Sequence, residues 1–196
     1  MNFKSKKQLV IGLTGGMLSG KSTALKIFDR CGAYVLCCDE LVREISARPS
    51  VQKQIEKLLG QSDKAFLVQK VFSNVQARKK LENLLHPLVL KEMKKRLKAD
   101  KTCLQVVEVP LLFEAGWEDY FDCTMAILAS EKNLQKRLAA RSVKKEDFLK
   151  RTSAQFSAEK KAALADICVL NAADVACLAK KVQAIYHAFT KIYQVK

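Results

Sequence analysis

Short apolar runs alternate with longer segments of helical periodicity along most of the chain. Runs of about four to eight apolar residues are typical of strands that are buried on both faces of a sheet. The predicted strands are Gln8–Leu13, Ala33–Cys38, Leu104–Val109, Cys123–Ala129 and Ile167–Leu170.

The segments between these strands predict helices that cover the sheet. Helices are expected over Ser22–Arg30, Glu131–Arg141 and Ala173–Tyr193. The last of these is predicted to pack on the sheet through one apolar stripe, which consists of Val175, Leu178, Val182, Ile185, Phe189 and Ile192. Strands that alternate with helices favour a three-layer α/β fold, with a parallel five-stranded sheet between helices.

One long stretch breaks this alternation. Residues 41–101 show helical pattern without a convincing strand, and Pro87 is expected to start a new helix there. Because such a stretch is too long for one crossover, we expect a helical lobe that is inserted into the α/β core. The single domain 1–196 would then have its core at about residues 8–40 and 102–196.

Bulk composition agrees with one compact domain and excludes a chain that spans a membrane. The 196 residues are 49% hydrophobic, but no apolar run reaches the ~20 residues of a spanning helix. The first residues have lysines and one short apolar stretch, which indicates a first strand rather than a signal peptide. The net charge of +15 either attracts nucleic acid, an anionic membrane surface or phosphorylated small molecules, or only keeps the surface solvated.

The seven cysteines predict neither a disulfide framework nor a metal site. Their number is odd, they form no CxxC pair, and the chain has only two histidines, so a zinc site is not expected. Most of them lie in or beside apolar runs. We therefore expect reduced, mostly buried thiols in a cytoplasmic protein.

A glycine-rich segment follows the first predicted strand and opens the first predicted helix. Residues 15–22 have the sequence GGMLSGKS, which matches the phosphate-binding pattern GxxxxGK[ST] in the context that this pattern requires. Successive backbone N–H groups of such a loop surround an oxyanion, and the following helix adds the positive end of its dipole. The predicted nucleotide-binding residues here are Gly15, Gly16, Leu18, Ser19, Gly20, Lys21, Ser22 and Thr23.

Side chains of this loop have separate expected roles. Lys21 supplies a mobile cation to the β- and γ-phosphates, the Ser22 hydroxyl binds Mg²⁺, and Thr23 contacts an α-phosphate. Leu18 stands where many such loops have glycine, and a positive φ there would cost leucine about 1 kcal/mol or more. We expect the loop to accommodate Leu18 with its side chain pointing away from the nucleotide.

A phosphate-binding loop alone predicts only that a nucleoside triphosphate is bound. The chain has no NKxD motif for guanine, and its short length with a helical lobe favours a nucleotide-type kinase over motor or helicase ATPases. Its segments resemble, in order, those of dephospho-CoA kinases over nearly the whole chain. Besides the loop they are CDELVRE at 38–44, VFSNVQARKKLENLLHP at 71–87, PLLFEAG at 110–116, RLAAR at 137–141, RTSAQ at 151–155 and LADICVLN at 164–171.

This resemblance implies a nucleotide-kinase fold with an α/β core, a helical substrate lobe and a basic lid at about residues 141–161. It implies transfer of the γ-phosphoryl group of ATP, with Mg²⁺, to the ribose 3′-hydroxyl of dephospho-CoA, which is the last step of coenzyme A synthesis. The implied partners are these two small molecules, without obligate nucleic acid or membrane. The chain would act as a monomer or a small homo-oligomer.

Asp39 follows the second predicted strand, at the sheet edge where doubly wound folds bind ligands. The resemblance implies that Asp39 orients the acceptor hydroxyl and accepts its proton. Alternatively, Asp39 is the N-cap of the following helical turn. The family commonly has D-x-D at this place, and Cys37 replaces the first aspartate, so a contact of that carboxylate is absent or supplied elsewhere.

Four more positions have both a functional and a structural interpretation. Glu108, near the end of the third strand, either binds Mg²⁺ through water or pairs with a lysine. His86 either contacts the acceptor or caps a helix, and Asn171 either lines the adenine pocket or forms a strand-end turn. Lys64, where the family often has arginine, offers charge to an acceptor phosphate but no bidentate fork.

Arg137 and Arg141 lie one turn apart on a predicted helix face, and a basic run continues beyond them. Such a run is either a solvated face or a lid whose arginine closes over ATP and stabilises charge on the transferring phosphoryl group. We assign that role first to Arg141 and second to Arg151. The other cations of the run are Lys144, Lys145, Lys150, Lys160 and Lys161.

Two other functions stay open from the sequence. One is a kinase for a different nucleotide, which would prefer another acceptor. The other is a basic nucleic-acid-binding ATPase, which rests on the net charge of +15 alone and predicts polynucleotide binding that weakens steeply with salt.

Overall fold

A computed structural model describes residues 8–63, 66–67, 70–71, 74–140, 148, 152 and 155–194. Its strands are β1 at Leu9–Gly15, β2 at Tyr34–Cys37, β3 at Leu104–Glu108, β4 at Cys123–Ala129 and β5 at Ile167–Asn171. They form one parallel five-stranded sheet in the order β2–β3–β1–β4–β5. All the predicted strands are confirmed, with bounds that differ by at most two residues.

The position of β1 in this order decides where a ligand can bind. β1 lies between β3 and β4, with Leu13 beside Glu108 and Gly15 beside Ile127. The chain forms β3 on one side of β1 and then β4 on the other, so β1 stands at the point where the strand order reverses. Open α/β sheets bind ligands outside the carboxyl ends of the strands at this point. The segments that follow β1, β3 and β5 therefore converge at one edge.

The helices whose bounds the structure describes belong to two compact units. They are α1 at Lys21–Arg30, α2 at Cys38–Ser46, α3 at Pro49–Leu59, α4 at Val75–Ala99, α5 at Glu131–Ala140, α6 at Ala158–Leu164 and α7 at Val175–Gln194, with a short 3-10 helix at Glu118–Tyr120. One unit comprises the described residues up to Leu36 and from Asp100 onward, and the other is Cys37–Ala99. Among these described helices, none is long and apolar enough to cross a membrane.

Helices cover the sheet in the first unit. α1 and α7 pack against each other and against β3, while α6 packs against β1 and β4. All of β3 and most of β1 are buried, which is why their sequences are mostly apolar rather than alternating. The predicted stripe of α7 is confirmed in its middle, where Leu178 and Val182 are buried and Ile185 and Phe189 are half-buried. It is wrong at its two ends, because Val175 and Ile192 are exposed.

The second unit, Cys37–Ala99, consists of helices in its described part. α2 and α3 pack against each other, and both pack against the long helix α4. The apolar side chains that they bury include Leu41, Ile45, Val51, Ile55, Leu85, Val89 and Met93.

Pro87 lies inside α4, so the prediction that it starts a new helix is wrong. Proline lacks the N–H that would bond the carbonyl four residues earlier, and in a helix interior it costs about 3 kcal/mol. Leu85, Val89 and Met93 on either side of it are buried. Tertiary packing of this apolar face, rather than local propensity, keeps the helix continuous through the proline.

All seven cysteines are free thiols. Cys38 and Cys123 are buried, Cys168 is exposed and the other four are half-buried, so the expectation of mostly buried thiols is wrong. The reason is position: Cys37 ends β2 and Cys31 is the C-cap of α1, where neighbouring apolar residues cover only part of a side chain. Burial, followed by the charges of the nearby Asp166 and Asp122, raises the pKa of the Cys123 thiol to about 12.

Candidate active site

The phosphate-binding loop, residues 15–22, joins the central strand β1 to α1 at the carboxyl edge of the sheet. Gly15 has φ 144°, and a Cβ atom there would lie 2.3 Å from the carbonyl oxygen of Ile127. Gly20 is the N-cap of α1 with φ 108°, and a Cβ atom there would lie 2.4 Å from Nδ2 of Asn171. Both positions therefore require glycine for the loop to follow this path.

Lys21 is the first residue of α1, and its ammonium group lies against the loop. Its Nζ atom donates to the carbonyl oxygen of Gly16 over 2.8 Å, and the residue is only 9% exposed. The amide of Ser19 donates to the same carbonyl over 3.2 Å, which closes a turn. Thr23 is half-buried in the first turn of α1. The loop thus holds a cation beside the peptide groups that are suited to surround a phosphate.

Leu18 has φ 61°, so the loop does require a left-handed residue at this position. Its side chain is half-buried. The carbonyl oxygen of Leu18 accepts a hydrogen bond from Nη1 of Arg137 over 2.9 Å. The positive φ that strains a leucine is therefore present at Leu18. The charged side chain of Arg137 donates a hydrogen bond to the carbonyl of the same residue.

Ser22 and Glu108 meet beside the loop. The Ser22 hydroxyl donates to Oε1 of Glu108 over 3.0 Å. Glu108 is the last residue of β3 and is 4% exposed, whereas Ser22 is exposed in the first turn of α1. The structure therefore brings together the two residues that the sequence named as candidate magnesium ligands.

This pair has the chemistry of a magnesium site. A hydroxyl and a carboxylate are hard oxygen ligands, and Mg²⁺ usually takes only one or two protein ligands, with water and substrate phosphates completing its shell. Elsewhere in the described part of the chain, no cluster of three or more His, Cys, Asp or Glu side chains could hold a metal ion. The Ser22–Glu108 pair, next to a phosphate-binding loop, fits Mg²⁺ that arrives with a nucleotide.

Two residues outside the loop contact its backbone. Nη1 of Arg137, on α5, donates to the carbonyl oxygens of Leu18 and Ser19 over 2.9 and 3.0 Å. Nδ2 of Asn171, at the end of β5, donates to the Ser19 carbonyl over 2.8 Å and is buried. The structure thus places Asn171 behind the loop.

Of the predicted lid, about residues 141–161, the structure describes only residues 148, 152 and 155–161. Arg141, Arg151, Lys144, Lys145 and Lys150 lie outside the described residues. Lys160 is exposed, and its Nζ atom lies 3.5 Å from the centre of the Phe156 ring.

Lys161, one of the cations assigned to the lid, is instead completely buried in α6. Its Nζ atom lies 3.0 Å from Oε1 of Glu114 and 2.5 Å from the carbonyl oxygen of Pro110. Oε1 of Glu114 also accepts the amide of Phe156 over 2.7 Å. Lys161 is therefore an internal ion-pair partner rather than a solvated cation, because burying its charge requires an anion.

Asp39 is the second residue of α2, in the unit Cys37–Ala99. The N-cap position is occupied by Cys37, whose side chain makes no capping hydrogen bond, so the interpretation of Asp39 as N-cap is wrong. Asp39 and Glu40 are exposed in the first turn, where the helix dipole favours carboxylates. The Asp39 carboxylate is thus accessible to a ligand from solvent.

Ion pairs within the same unit fix the helix that carries Asp39. The guanidinium of Arg96 on α4 donates to Glu44 of α2 and, over 3.1 Å, to Glu92 of α4. Glu92 also accepts from Arg48, the N-cap residue of α3, over 3.1 Å. Hydrogen bonds from Arg96 and then Arg48 hold the pKa of Glu92 below its usual value. This network ties α2 and α3 to α4.

His86 lies in the middle of α4, directly before Pro87, so it is not a helix cap. It is half-buried. Burial lowers the pKa of His86, and the nearby charge of Glu82 opposes that shift. Lys64, the other candidate for acceptor binding, lies outside the described residues.

Known proteins of one family are similar to this chain over most of its length. Residues 9–176 match the family model described as dephospho-CoA kinase. A dephospho-CoA kinase from Carboxydothermus hydrogenoformans is 35% identical over 179 residues, which cover 85% of this chain and 87% of the relative. One from Methylococcus capsulatus is 32% identical over 193 residues, which cover 93% of this chain and 97% of the relative.

A solved structure has the same fold over nearly the whole chain. A crystal structure of a Thermus thermophilus protein superposes with a TM-score of 0.81 at 29% sequence identity, covering 93% of this chain and 98% of that one. The predicted α/β fold is therefore confirmed both by the sheet described above and by a neighbour of known structure.

Proposed function

The chain belongs to the dephospho-CoA kinase family, and on that premise we propose that it transfers the γ-phosphoryl group of ATP to the ribose 3′-hydroxyl of dephospho-CoA. The products are ADP and coenzyme A. The observation that carries this proposal is the joint presence of the family match over residues 9–176 and of a built phosphate-binding loop at residues 15–22.

The phosphate-binding loop holds the donor. Its amides and the N-terminal end of α1 attract the β- and γ-phosphates, and Lys21 supplies a positive charge that is already aligned against the Gly16 carbonyl. Phosphoryl transfer depends mainly on positioning and on cations that offset charge on the transferring group. The loop therefore provides both the grip on ATP and part of the electrostatic stabilisation.

Asp39 acts on the acceptor. Its carboxylate orients the 3′-hydroxyl and takes its proton, while the ribose oxygen forms a bond to the γ-phosphorus. The bond from the γ-phosphorus to the oxygen that bridges it to the β-phosphate breaks, and ADP leaves with that electron pair. Exposure of Asp39 in the first turn of α2 supports this role, since the carboxylate is accessible to an incoming hydroxyl.

Magnesium is held, in this proposal, by the Ser22 hydroxyl directly and by Glu108 through water. When bound there, the ion would neutralise negative charge that develops on the phosphate oxygens during transfer. The 3.0 Å contact between Ser22 and Glu108 supports the assignment, because both side chains can reach one ion without movement of β3 or α1.

The basic segment 141–161 is proposed to close over ATP, with Arg141 as the cation on the transferring phosphoryl group and closure excluding water. Lys161 is excluded from this role, because it is buried against Glu114. The helical unit Cys37–Ala99 is proposed to bind dephospho-CoA. We expect action on these small molecules in the cytoplasm, as a monomer or small homo-oligomer, without nucleic acid or membrane.

An acceptor comparison tests the function. The protein is incubated with Mg-ATP and, in parallel, with dephospho-CoA, AMP, CMP, a nucleoside or a polynucleotide, and ADP formation is followed. We expect rapid turnover with dephospho-CoA, and turnover that is slower by orders of magnitude with Lys21→Ala. Preference for another nucleotide, or ATPase activity stimulated by polynucleotide, would replace the proposal by one of the two other functions.

A further inference from the structure

Leu18 is the one residue other than glycine, among those that the structure describes, whose φ is positive. At φ 61° a side chain with a Cβ atom crowds the following carbonyl group, so the backbone is strained there. Such strain persists only when the surroundings hold it in place. Some contact outside the loop must therefore favour this conformation over the relaxed one.

Two side chains donate hydrogen bonds to the loop at this strained position and at the residue that directly follows it. Nη1 of Arg137 bonds the carbonyl of Leu18 itself, over 2.9 Å, and the next carbonyl, that of Ser19, over 3.0 Å. Nδ2 of Asn171 bonds the Ser19 carbonyl as well, over 2.8 Å. Because Asn171 is only 4% exposed, water does not compete freely for that bond.

The grip on these carbonyls also orients the amides. A trans peptide is planar, and its N–H points away from its C=O. With the Ser19 carbonyl held by Arg137 and Asn171, the amide of Gly20 must point to the opposite side of the loop. Gly20 is also the residue whose missing Cβ leaves room for Asn171, since a Cβ would lie 2.4 Å from Nδ2.

We infer that Arg137 and Asn171 are positioning residues that clamp the outer carbonyls of the phosphate-binding loop, hold Leu18 in its strained conformation and so preset the loop amides for phosphate. The inference rests on the proposed function, in that the loop binds the phosphates of ATP. The guanidinium suits this task because it is always charged and its planar donors reach two neighbouring carbonyls at once.

The competing interpretation is that Arg137 binds ATP directly and that its hydrogen bonds to the loop do not affect ATP affinity. A double-mutant cycle separates the two. Glycine adopts a positive φ without strain, so in a Leu18→Gly background the hydrogen bonds of Arg137 and Asn171 have much less backbone strain to offset. We expect Arg137→Ala to raise the Kd for Mg-ATP about tenfold when Leu18 is present but less than about threefold in the Leu18→Gly background. Equal increases in both backgrounds would overturn the inference.

Hydrogen exchange of the loop amides, in protein without nucleotide, tests the same claim independently of ATP. Arg137→Ala and Asn171→Ala should each speed exchange in residues 15–22 about tenfold or more, with the β1 and β4 amides unchanged. Lys136→Ala is the matched control, because it removes an exposed cation from the same helix α5 and should leave loop exchange as in the wild type.

Unchanged loop exchange in both clamp variants would refute the positioning role. If a clamp variant loses its thermal transition, Arg137→Lys replaces it, since lysine keeps the charge but reaches two carbonyls less well and should give an intermediate increase in loop exchange. If the wild-type protein failed to bind Mg-ATP, the proposed function would fall, while the exchange result would still decide whether the clamp presets the loop.

Discussion

Ser22 and Glu108 are hydrogen-bonded to each other, hydroxyl to carboxylate, over 3.0 Å. They are 86 positions apart in the chain and meet only because β1 and β3 are neighbouring parallel strands, with Leu13 beside Glu108. α1 then begins at the carboxyl edge of the sheet and brings its first turn to the end of β3. This arrangement is the basis for proposing Ser22 and Glu108 as oxygen ligands of one magnesium ion.

Loss of either oxygen ligand should weaken the effect of magnesium. We expect Ser22→Ala and Glu108→Gln to lower turnover about 10- to 100-fold, because fewer groups orient the ion. ATP is titrated calorimetrically into the protein, once with Mg²⁺ present and once with EDTA in its place. The difference in affinity for ATP is the gain that the ion gives. Ser22→Thr keeps the hydroxyl and should retain that gain. An unaltered magnesium effect in Ser22→Ala would remove Ser22 from the site.

Lys21 should be needed for turnover but not for folding. We expect Lys21→Met to cut kcat about 10²- to 10³-fold, because a charge aimed at the phosphoryl oxygens is lost. Its midpoint of thermal unfolding should stay close to that of the wild type. Lys26→Met, which removes an exposed lysine from the same helix, serves as control and should turn over normally. Similar losses of kcat in both variants would show that net charge, rather than the position of Lys21, determines turnover.

Asp39→Asn should leave ATP affinity unchanged and slow transfer about 10²- to 10⁴-fold, because the amide cannot accept the proton of the hydroxyl. Single-turnover kinetics with saturating ATP isolates the transfer step. Glu40→Gln removes the neighbouring exposed carboxylate from the same first turn and should have little effect. Normal transfer by Asp39→Asn would show that another group takes the proton.

The buried pair of Glu114 and Lys161 should show strong coupling in stability. Lys161→Met leaves a carboxylate buried without its cation and is expected to cost about 3–5 kcal/mol of unfolding free energy. Glu114→Gln leaves Lys161 with only the Pro110 carbonyl among its described contacts and should also destabilise the protein. The double variant should lose much less than the sum in urea unfolding. Strict additivity would mean that the two charges do not support each other.

His86 should make stability fall at mildly acidic pH. Burial holds its pKa below 6.5, so below pH 6.5 the unfolded chain binds a proton that the folded chain resists. The unfolded state then binds more protons, and the unfolding free energy decreases as pH falls through this range. His86→Gln should flatten the decrease between pH 7.5 and 5.5 in urea unfolding. If the unfolding free energy falls with the same slope in both proteins, other titratable groups cause the decrease.

Local patterns in the sequence suffice for the strands and the phosphate-binding loop. Continuous apolar runs such as Cys123–Ala129 predict buried strands because both sheet faces are covered, and here the predicted and observed bounds coincide. The loop is predictable because its glycines, lysine and serine all lie at fixed spacing within eight consecutive residues. Pro87 misleads for the opposite reason: packing of residues far away in the chain outweighs its local effect on α4.

Long-range partners could not be predicted from spacing. Arg137 is 119 positions from Leu18, and nothing near either residue indicates that they meet. Lys161 looks like one more cation in a basic run, and only the fold shows that it is buried beside Glu114. A weak signal existed in that Glu114 stands in the apolar segment PLLFE, where a carboxylate needs a partner.

Identification of the product tests the central claim most directly. The protein is incubated with Mg-ATP and dephospho-CoA, and the mixture is examined by ³¹P NMR. We expect a new 3′-phosphomonoester signal, with coenzyme A and ADP formed in equal amounts, and with both formed about 10²- to 10³-fold more slowly by Lys21→Met. ATP that is consumed without coenzyme A, or a phosphate on any other position of the acceptor, would contradict it.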